Sequence, residues 1–307
     1  MPFTTNLSGT AQVDDSIILA YDQQFIVAQA QDQIMDQFVT YKANINAKSI
    51  EFEKYSQLAL ATTPLVETDD VVSEALSDAN IILTPAEYGN VVTKTQLASL
   101  QTGGKIDLAS ARLVGINAGR TQDKLALMAL DASANVQFAG TGNGSNGDLL
   151  VTDIVDVSFL NKMYNKLSRS SIQMINGLYV AVLHEDNIFD LRNSAGAGSW
   201  TDINKYAQPN EVLMNEVGML CGFRIVRDNH STITAGASGD SKDVYNSYFM
   251  GFNALGKAVS KEPGMVATGP FDKLNRFVNL GWYGVFKYGI IDQDALYIGR
   301  SCSSLSA

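Results

Sequence analysis

The stretch KIDLASARLVGINAGRTQDKLALMALD (105–131) carries the clearest helical pattern in the chain. Its apolar and small residues recur on one stripe at helical spacing, interrupted by Gln122: Leu108, Ala111, Gly115, Ala118, Leu125 and Ala129. Asp107 is predicted to cap this helix. At about 1.5 Å per residue the helix forms a rod of roughly 40 Å. The small residues in its middle predict close approach by a neighbouring element.

Two extended segments precede this helix, LALATTPLVETDD (58–70) and NIILTPAEYGNVVTKT (80–95). We predict that they form a two-stranded ribbon. An isolated ribbon is marginally stable in water, so this one is expected to lie against something else. Residues 14–57 are predicted to be mostly helical, with scattered apolar side chains that cannot form a core of their own.

Helices and strands follow the long helix in separate groups. Predicted helices are DVSFLNKMYNKLSRS (156–170), capped by Asp156, and HEDNIFDLRN (184–193). Predicted strands are LYVAVL (178–183), LCGFRIVRD (220–228), YNSYFMGF (245–252), an alternating run over 280–290 and DALYIGR (294–300). The fold class is therefore α+β, with helices and strands segregated along the chain.

Composition limits the functional classes. The chain has 307 residues, 46% of them hydrophobic, which is enough for a packed core. Its net charge of −10 argues against tight binding to nucleic acid or an anionic membrane, because phosphate affinity comes from Lys and Arg. The N-terminus shows no secretory signal pattern, and no apolar run is long enough to span a membrane. Cys221 and Cys302 are too few for a disulfide framework or a zinc site.

The search for catalytic chemistry finds only weak patterns. Gly142, Gly144 and Gly147 match G-x-G-x-x-G, and the alternative they leave open is a nucleotide-dependent enzyme. The required strand–turn–helix context is missing, so a flexible loop is the favoured interpretation. His184 is predicted at an element boundary and His230 in a surface turn. We therefore predict no catalytic, cofactor-binding or metal-binding residues.

The order of these parts resembles the major capsid protein of tailed double-stranded-DNA bacteriophages, the Hong Kong 97-type capsid fold. The similarity covers nearly the whole chain. It rests on TPAEYGNVVTKTQLASL, INGLYVAVLHEDNIFDLRN, NEVGMLCGFRIVRDN, YFMGFNALGKAV and FDKLNRFVNLGWYGVFKYGIID, which follow one another as corresponding elements do in that family. Each segment is weak alone, and their order is the stronger signal.

The resemblance implies a division of the chain into named parts. These are an N-arm (1–57), an extended loop or ribbon (58–96), a peripheral domain (97–184) containing the spine helix (105–131), an axial domain (185–262) and the return strands of the peripheral domain (263–307). It also implies a structural protein without an active site, located in the virion capsid and assembled in the host cytoplasm.

The partners that the resemblance implies are copies of the same chain, arranged as pentamers and hexamers of an icosahedral shell around double-stranded DNA. Scaffold, portal and decoration proteins are further implied partners. We expect subunit contacts to be carried by Leu60, Pro64, Leu65, Val66, Ile82, Tyr88 and Val91. The alternative within the same fold is an encapsulin, the shell protein of a bacterial enzyme-storing compartment.

Overall fold

A computed structural model describes most of the chain. The residues it describes are 22–30, 32–44, 48–55, 58, 60–65, 67, 70, 73–76, 78–103, 105–194, 216–269, 273–274 and 276–305. The first 21 residues of the predicted arm, Val66 and most of the loop after residue 194 lie outside this part. Among the described helices, none combines the length and apolarity needed to span a membrane.

Five α-helices are found in the described residues. Helix α1 covers 22–30, and the others are α2 (Gln96–Gln101), α3 (Lys105–Asp131), α4 (Val157–Arg169) and α5 (Glu185–Asn193). Two short 3-10 helices lie at Met35–Phe38 and Asn146–Asp148. The predicted long helix, which is α3, is confirmed at both ends. Asp156 caps α4 as predicted, because its carboxylate accepts a hydrogen bond from the backbone N–H of Phe159 at 2.7 Å.

One sheet has four long strands in the order β1-β11-β12-β4. These are β1 (Val39–Ala43), β4 (Ala86–Thr95), β11 (Leu255–Thr268) and β12 (Phe277–Ile290). Strand β1 is parallel to β11, whereas β12 is antiparallel to both β11 and β4. The sheet therefore joins the two ends of the chain, with β4 at one edge.

A second sheet has seven strands. Its main order is β5-β13-β10-β6-β8-β7, with β9 paired to β10. These are β5 (Val136–Phe138), β6 (Tyr179–Leu183), β7 (Glu216–Leu220), β8 (Phe223–Arg227), β9 (Ile233–Thr234), β10 (Val244–Met250) and β13 (Leu296–Ser301). All five residues of β6 are buried, as expected of a central strand covered on both faces.

The long helix α3 is the common packing surface of both sheets. Val114, Leu127 and Leu130 of α3 share one core cluster with Trp282 and Phe286 of the first sheet, and that cluster also contains Val180 and Tyr248 of the second. Helices α4 and α5 cover the opposite face of the second sheet in a separate cluster. Burying both faces of a sheet is the usual way such folds remove apolar surface from water.

The predicted ribbon pairing is wrong. Strand β2 (Ile50–Tyr55) pairs with β3 (Asp78–Leu83) in antiparallel register, and residues 58–65 are not a strand where the structure describes them. The predicted second segment divides at Pro85, so that β3 belongs to the ribbon while β4 joins β12. Proline cannot donate to a strand ladder, which explains why the segment breaks there.

Two further predictions need correction. The arm is not mostly helical to residue 57, because β1 and β2 lie within it. The proposed domain boundary between 262 and 263 falls inside the continuous strand β11. Register shifts between Val259 and Gly264 interrupt the alternation of β11 and make its sequence resemble an element boundary.

The small residues of α3 do admit a close neighbour, as predicted. A Cβ added at Gly119 would lie 2.5 Å from the backbone oxygen of Gln29, and one added at Gly115 would lie 2.6 Å from that of Phe25. Helix α1 therefore rests on α3 at a distance that only glycine permits.

We expect Gly119→Ala to destabilise the protein by about 1–3 kcal/mol, because the added methyl group collides with the backbone of α1. At an open helical position the same change would stabilise by about 1 kcal/mol, so the sign of the effect is diagnostic. Urea unfolding followed by circular dichroism measures it. Gly144→Ala is the control, since nothing lies within 3.8 Å of a Cβ added there; stabilisation by Gly119→Ala would contradict the α1–α3 contact.

Candidate assembly surface

The ribbon β2–β3 is anchored on the body of the protein by one small apolar cluster. Ile50 and Phe52 of β2 and Leu83 of β3 are buried against Ala258 and Ile291. The alternation of β2 follows from its sequence IEFEKY, in which Ile50 and Phe52 face inward and the glutamates face outward. One end of the ribbon is therefore fixed by this chain's own core.

A polar contact supports the same anchor. The ammonium group of Lys54 in β2 lies 2.6 Å from Oδ1 of Asp292, in the turn between β12 and β13. The pair is partly exposed, so it contributes at most about 1 kcal/mol and mainly sets the direction of the ribbon.

Beyond the ribbon, the chain exposes large apolar side chains. Leu60 is 87% exposed and Leu65 is 78% exposed, with Pro64 exposed between them. Ile82 of β3 and Val91 of β4 are also more than half exposed. These five predicted contact residues are therefore all exposed on their own chain. Large exposed apolar surfaces commonly mark protein–protein interfaces.

Tyr88 differs from the other predicted contact residues. Its ring is half-buried and lies 5.1 Å, centroid to centroid, from the ring of Phe286 in β12. Tyr88 also lines an apolar cavity of about 430 Å³ beside Leu125 and Met128 of α3. Its side chain therefore contributes to the packing of β4 on this chain's own core.

Strand β4 forms the edge of the four-stranded sheet, and within the described residues no strand pairs with its outer side. Its burial pattern shows no fully buried position, so both faces are accessible over most of its length. Soluble proteins usually shorten, charge or cover such an edge. A ten-residue exposed edge is a surface on which a second chain can pack.

Helix α2, which the sequence analysis missed, extends this surface. None of its residues is buried, and Leu97 and Leu100 are 64% and 73% exposed. The sequence signal for the start of this helix is Thr95, a residue type that commonly caps helices. Its hydroxyl accepts a hydrogen bond from the N–H of Ala98 and so caps α2. We define the assembly surface as Leu60, Pro64, Leu65, Ile82, Val91, Leu97 and Leu100.

A partly buried ion pair fixes β4 and α2 to the long helix. Lys94 lies 2.6 Å from Oδ1 of Asp107, and the hydroxyl of Ser99 donates to Oδ2 at 2.7 Å. Burial alone would raise the pKa of Asp107, but the hydrogen bonds from Lys94 and Ser99 outweigh burial and lower it. Asp107 lies in the first turn of α3 and does not have the capping role predicted for it. Its carboxylate instead joins α3 to β4 and α2.

The glycine loop binds one of its own carboxylates through backbone N–H groups. Asp148 accepts hydrogen bonds from the backbone N–H groups of Gly144 and Ser145, at 3.1 and 2.9 Å. The hydrogen bond from the Ser145 hydroxyl, together with these two backbone bonds, lowers the pKa of Asp148. The loop leads into a 3-10 helix of only three residues, Asn146–Asp148, so the strand–turn–helix context of a dinucleotide site is missing here.

The histidines and cysteines occupy different environments from one another. His184 caps α5 through its ring nitrogen, which confirms the predicted boundary position. His230 lies in a turn as predicted, but its ring faces two buried aspartates. Cys302 is fully buried. Cys221 was predicted to lie in a strand, but it lies in the β7–β8 turn with φ of 51°. Burial raises the pKa of both thiols, which disfavours the reactive thiolate.

Comparison with solved structures identifies the fold of the chain. No protein-family model and no curated protein matches the sequence. Solved structures do match: the capsid of Ralstonia phage GP4 aligns with a TM-score of 0.71 at 14% identity, covering 87% of each chain. The chain has the fold of phage capsid proteins.

Other matches to the capsid fold come from distant sources. The capsid of cyanophage Pam1 aligns with a TM-score of 0.67 at 12% identity over 88% of this chain and 92% of that one. A virus-like particle from Pyrococcus furiosus aligns with a TM-score of 0.59 at 9% identity over 92% and 98%. The fold class predicted from the sequence is confirmed by these alignments.

Proposed function

We propose that this chain is the shell-forming protein of a tailed double-stranded-DNA phage, and that its copies assemble into the pentamers and hexamers of a closed icosahedral capsid. The observation that carries the proposal is the capsid fold, which extends over nearly the whole described chain. The neighbours are structural proteins, and we propose no catalytic role.

The assembly surface supports this proposal. Its residues are exposed on the segment between β2 and β3, on β3, on the edge strand β4 and on the short helix α2. Covering them with neighbouring copies removes apolar surface from water. Head-to-tail contacts of this type close into rings when the rotation between copies closes. Obligate interfaces of this class commonly bury more than about 2,000 Å².

Charge is consistent with a shell that holds DNA without adhering to it. With a net charge of −10, the isolated chain is expected to bind duplex DNA weakly at physiological salt. We propose that packaged DNA is retained by enclosure and not by sequence-specific contacts. Scaffold, portal and decoration proteins are proposed partners, as in the family that the sequence resembles.

The similarity to a virus-like particle favours a second candidate, an encapsulin-type shell that stores protein cargo. Both candidates predict closed particles, so the contents decide between them. Particles from cells that naturally make this chain, treated with nuclease and analysed by native mass spectrometry and nucleic-acid extraction, should contain protected double-stranded DNA. Particles filled with protein cargo would favour the second candidate.

The direct test is electron microscopy and native mass spectrometry of the purified chain. We expect rings of five and six subunits and closed particles at micromolar concentration. A compact monomer at every concentration tested, with the assembly surface folded onto its own body, would contradict the proposal.

A further inference from the structure

Three ionisable side chains meet where the long helix α3 passes the turn after β8. Asp123 comes from α3, and Asp228 and His230 come from that turn; one ligand atom of each lies within 4.8 Å of the others. Nδ1 of His230 is 3.6 Å from Oδ2 of Asp123 and 3.5 Å from Oδ1 of Asp228. These separations exceed hydrogen-bond length, so the three atoms surround a small common space.

The two carboxylates are fully buried, yet each keeps one oxygen unsatisfied. Oδ1 of Asp123 accepts hydrogen bonds from the N–H groups of Ile34 and Met35, and Oδ1 of Asp228 accepts one from the N–H of His230. Oδ2 of both aspartates and Nδ1 of His230 have no hydrogen-bond partner among the described residues. Buried polar atoms are rarely left in this condition without a ligand, an ion or water.

Two basic side chains of α3 direct their hydrogen bonds away from this space. Arg120 directs its Nε to Asp32 at 3.0 Å, and Lys124 directs its ammonium group to Thr232 at 3.4 Å.

We propose that Asp123, Asp228 and His230 bind one Zn²⁺ ion. Bonds of about 2.0–2.2 Å to nitrogen and oxygen ligands in a tetrahedron separate the ligand atoms by roughly 3.3–3.6 Å. Nδ1 of His230 meets this requirement toward Oδ2 of Asp123, at 3.6 Å, and toward the carboxylate of Asp228, whose Oδ1 is 3.5 Å away and whose Oδ2 is unsatisfied. Imidazole with two carboxylates favours Zn²⁺ over Ca²⁺ and Mg²⁺, which prefer oxygen ligands alone.

The site lies one side chain below the surface. The aspartate side chains and Nδ1 of His230 are buried, whereas the His230 side chain as a whole is 34% exposed. We infer that an ion enters past this ring and that water fills its fourth ligand position. Because Asp123 also holds the backbone of Ile34 and Met35, a bound ion joins α3, the segment entering β1 and the turn after β8. This inference does not depend on the proposed capsid function.

Titration calorimetry of the full chain with Zn²⁺, followed by elemental analysis after desalting, tests the site. We expect one ion per chain and an increase in melting temperature with metal concentration. His230→Asn should weaken binding at least about tenfold. His184→Asn is the matched control, because it removes the other histidine, which lies 3.4 Å from Asp186, and should leave binding unchanged.

Cobalt provides a readout independent of stability. Co²⁺ bound by the wild-type chain should give the visible absorption of a tetrahedral site, and His230→Asn should lose it. Asp228→Asn keeps an acceptor for the N–H of His230 and should also lose the absorption if circular dichroism shows that it folds. No stoichiometric binding by the wild-type chain, or equal binding by wild type and His230→Asn, overturns the proposal.

Discussion

Replacing residues 56–77 with the dipeptide Asn-Gly should leave a folded chain that no longer forms closed shells. Tyr55 and Asp78 are directly paired across the ribbon, so a two-residue hairpin can join β2 to β3 without changing their register. The replacement removes Leu60, Pro64 and Leu65 but retains Ile50, Phe52 and Leu83, which anchor the ribbon. Circular dichroism should show an unchanged fold, and electron microscopy should show no particles.

This design differs from simply deleting residues 64–86. That deletion would remove β3 and expose Ile50 and Phe52, so a failure to assemble could reflect misfolding. Point variants provide the matched test: Leu60→Asp and Leu65→Asp should disrupt assembly, while Thr63→Asp adds the same charge at an exposed polar position and should not. Intact shells from the Asn-Gly variant would exclude this segment from the subunit contacts.

Asp36→Ala should be among the most destabilising single changes in the described chain, at about 3–5 kcal/mol. Asp36 lies in the 3-10 helix before β1 and contacts the ammonium group of Lys257, which is 5% exposed in β11. It also accepts a hydrogen bond from the hydroxyl of Tyr288 at 2.5 Å. Burial, with the charge of Asp36, raises the pKa of Tyr288, so the phenol stays protonated as a donor.

Among the described residues, removing Asp36 leaves the buried ammonium group with the side-chain oxygen of Gln122 and the rings of Phe286 and Tyr288 as its remaining partners. Asp32→Ala is the control, because Asp32 pairs with Arg120, which is 59% exposed, and should cost less than about 1 kcal/mol. Urea unfolding monitored by tryptophan fluorescence compares the two variants. Equal losses of unfolding free energy in the two variants would show that the Asp36–Lys257 pair does not stabilise the packing of this segment on the sheet.

The sequence predicted α3 to the residue because its pattern is local and long. Stripes at helical spacing over 27 residues leave few alternative structures. The prediction of helix for residues 39–55 was wrong for the opposite reason. Strand β1 is specified by its pairing with β11, which lies more than two hundred residues away in the sequence. The alternating sequence IEFEKY of β2 does indicate a strand. It was missed because the preceding residues have a helical pattern, and the predicted helix was extended over β2.

The candidate site was predictable only in part. Leu60 and Leu65 were predicted as contact residues because they belong to a ribbon that needs a partner outside its own chain, and both are exposed. Tyr88 was chosen by the same reasoning, yet its ring contacts Phe286, a partner that no local pattern reveals. The cluster of Asp123, Asp228 and His230 was missed because it joins a helix to a turn about a hundred residues later.

The glycines under the ribbon allow its anchor to pack closely. Cβ atoms at Gly289 and Gly256 would lie 2.4 Å from Leu83 and 2.6 Å from Ile291, two residues of the anchoring cluster, so this cluster packs directly on the backbone of β11 and β12. A strand of six residues is about 20 Å long, so a tilt of about 5° at the anchor would displace its far end by roughly 2 Å. A methyl group at Gly289 that tilted the ribbon would therefore change the curvature of any shell built from this chain, although no residue at the point of contact had been altered.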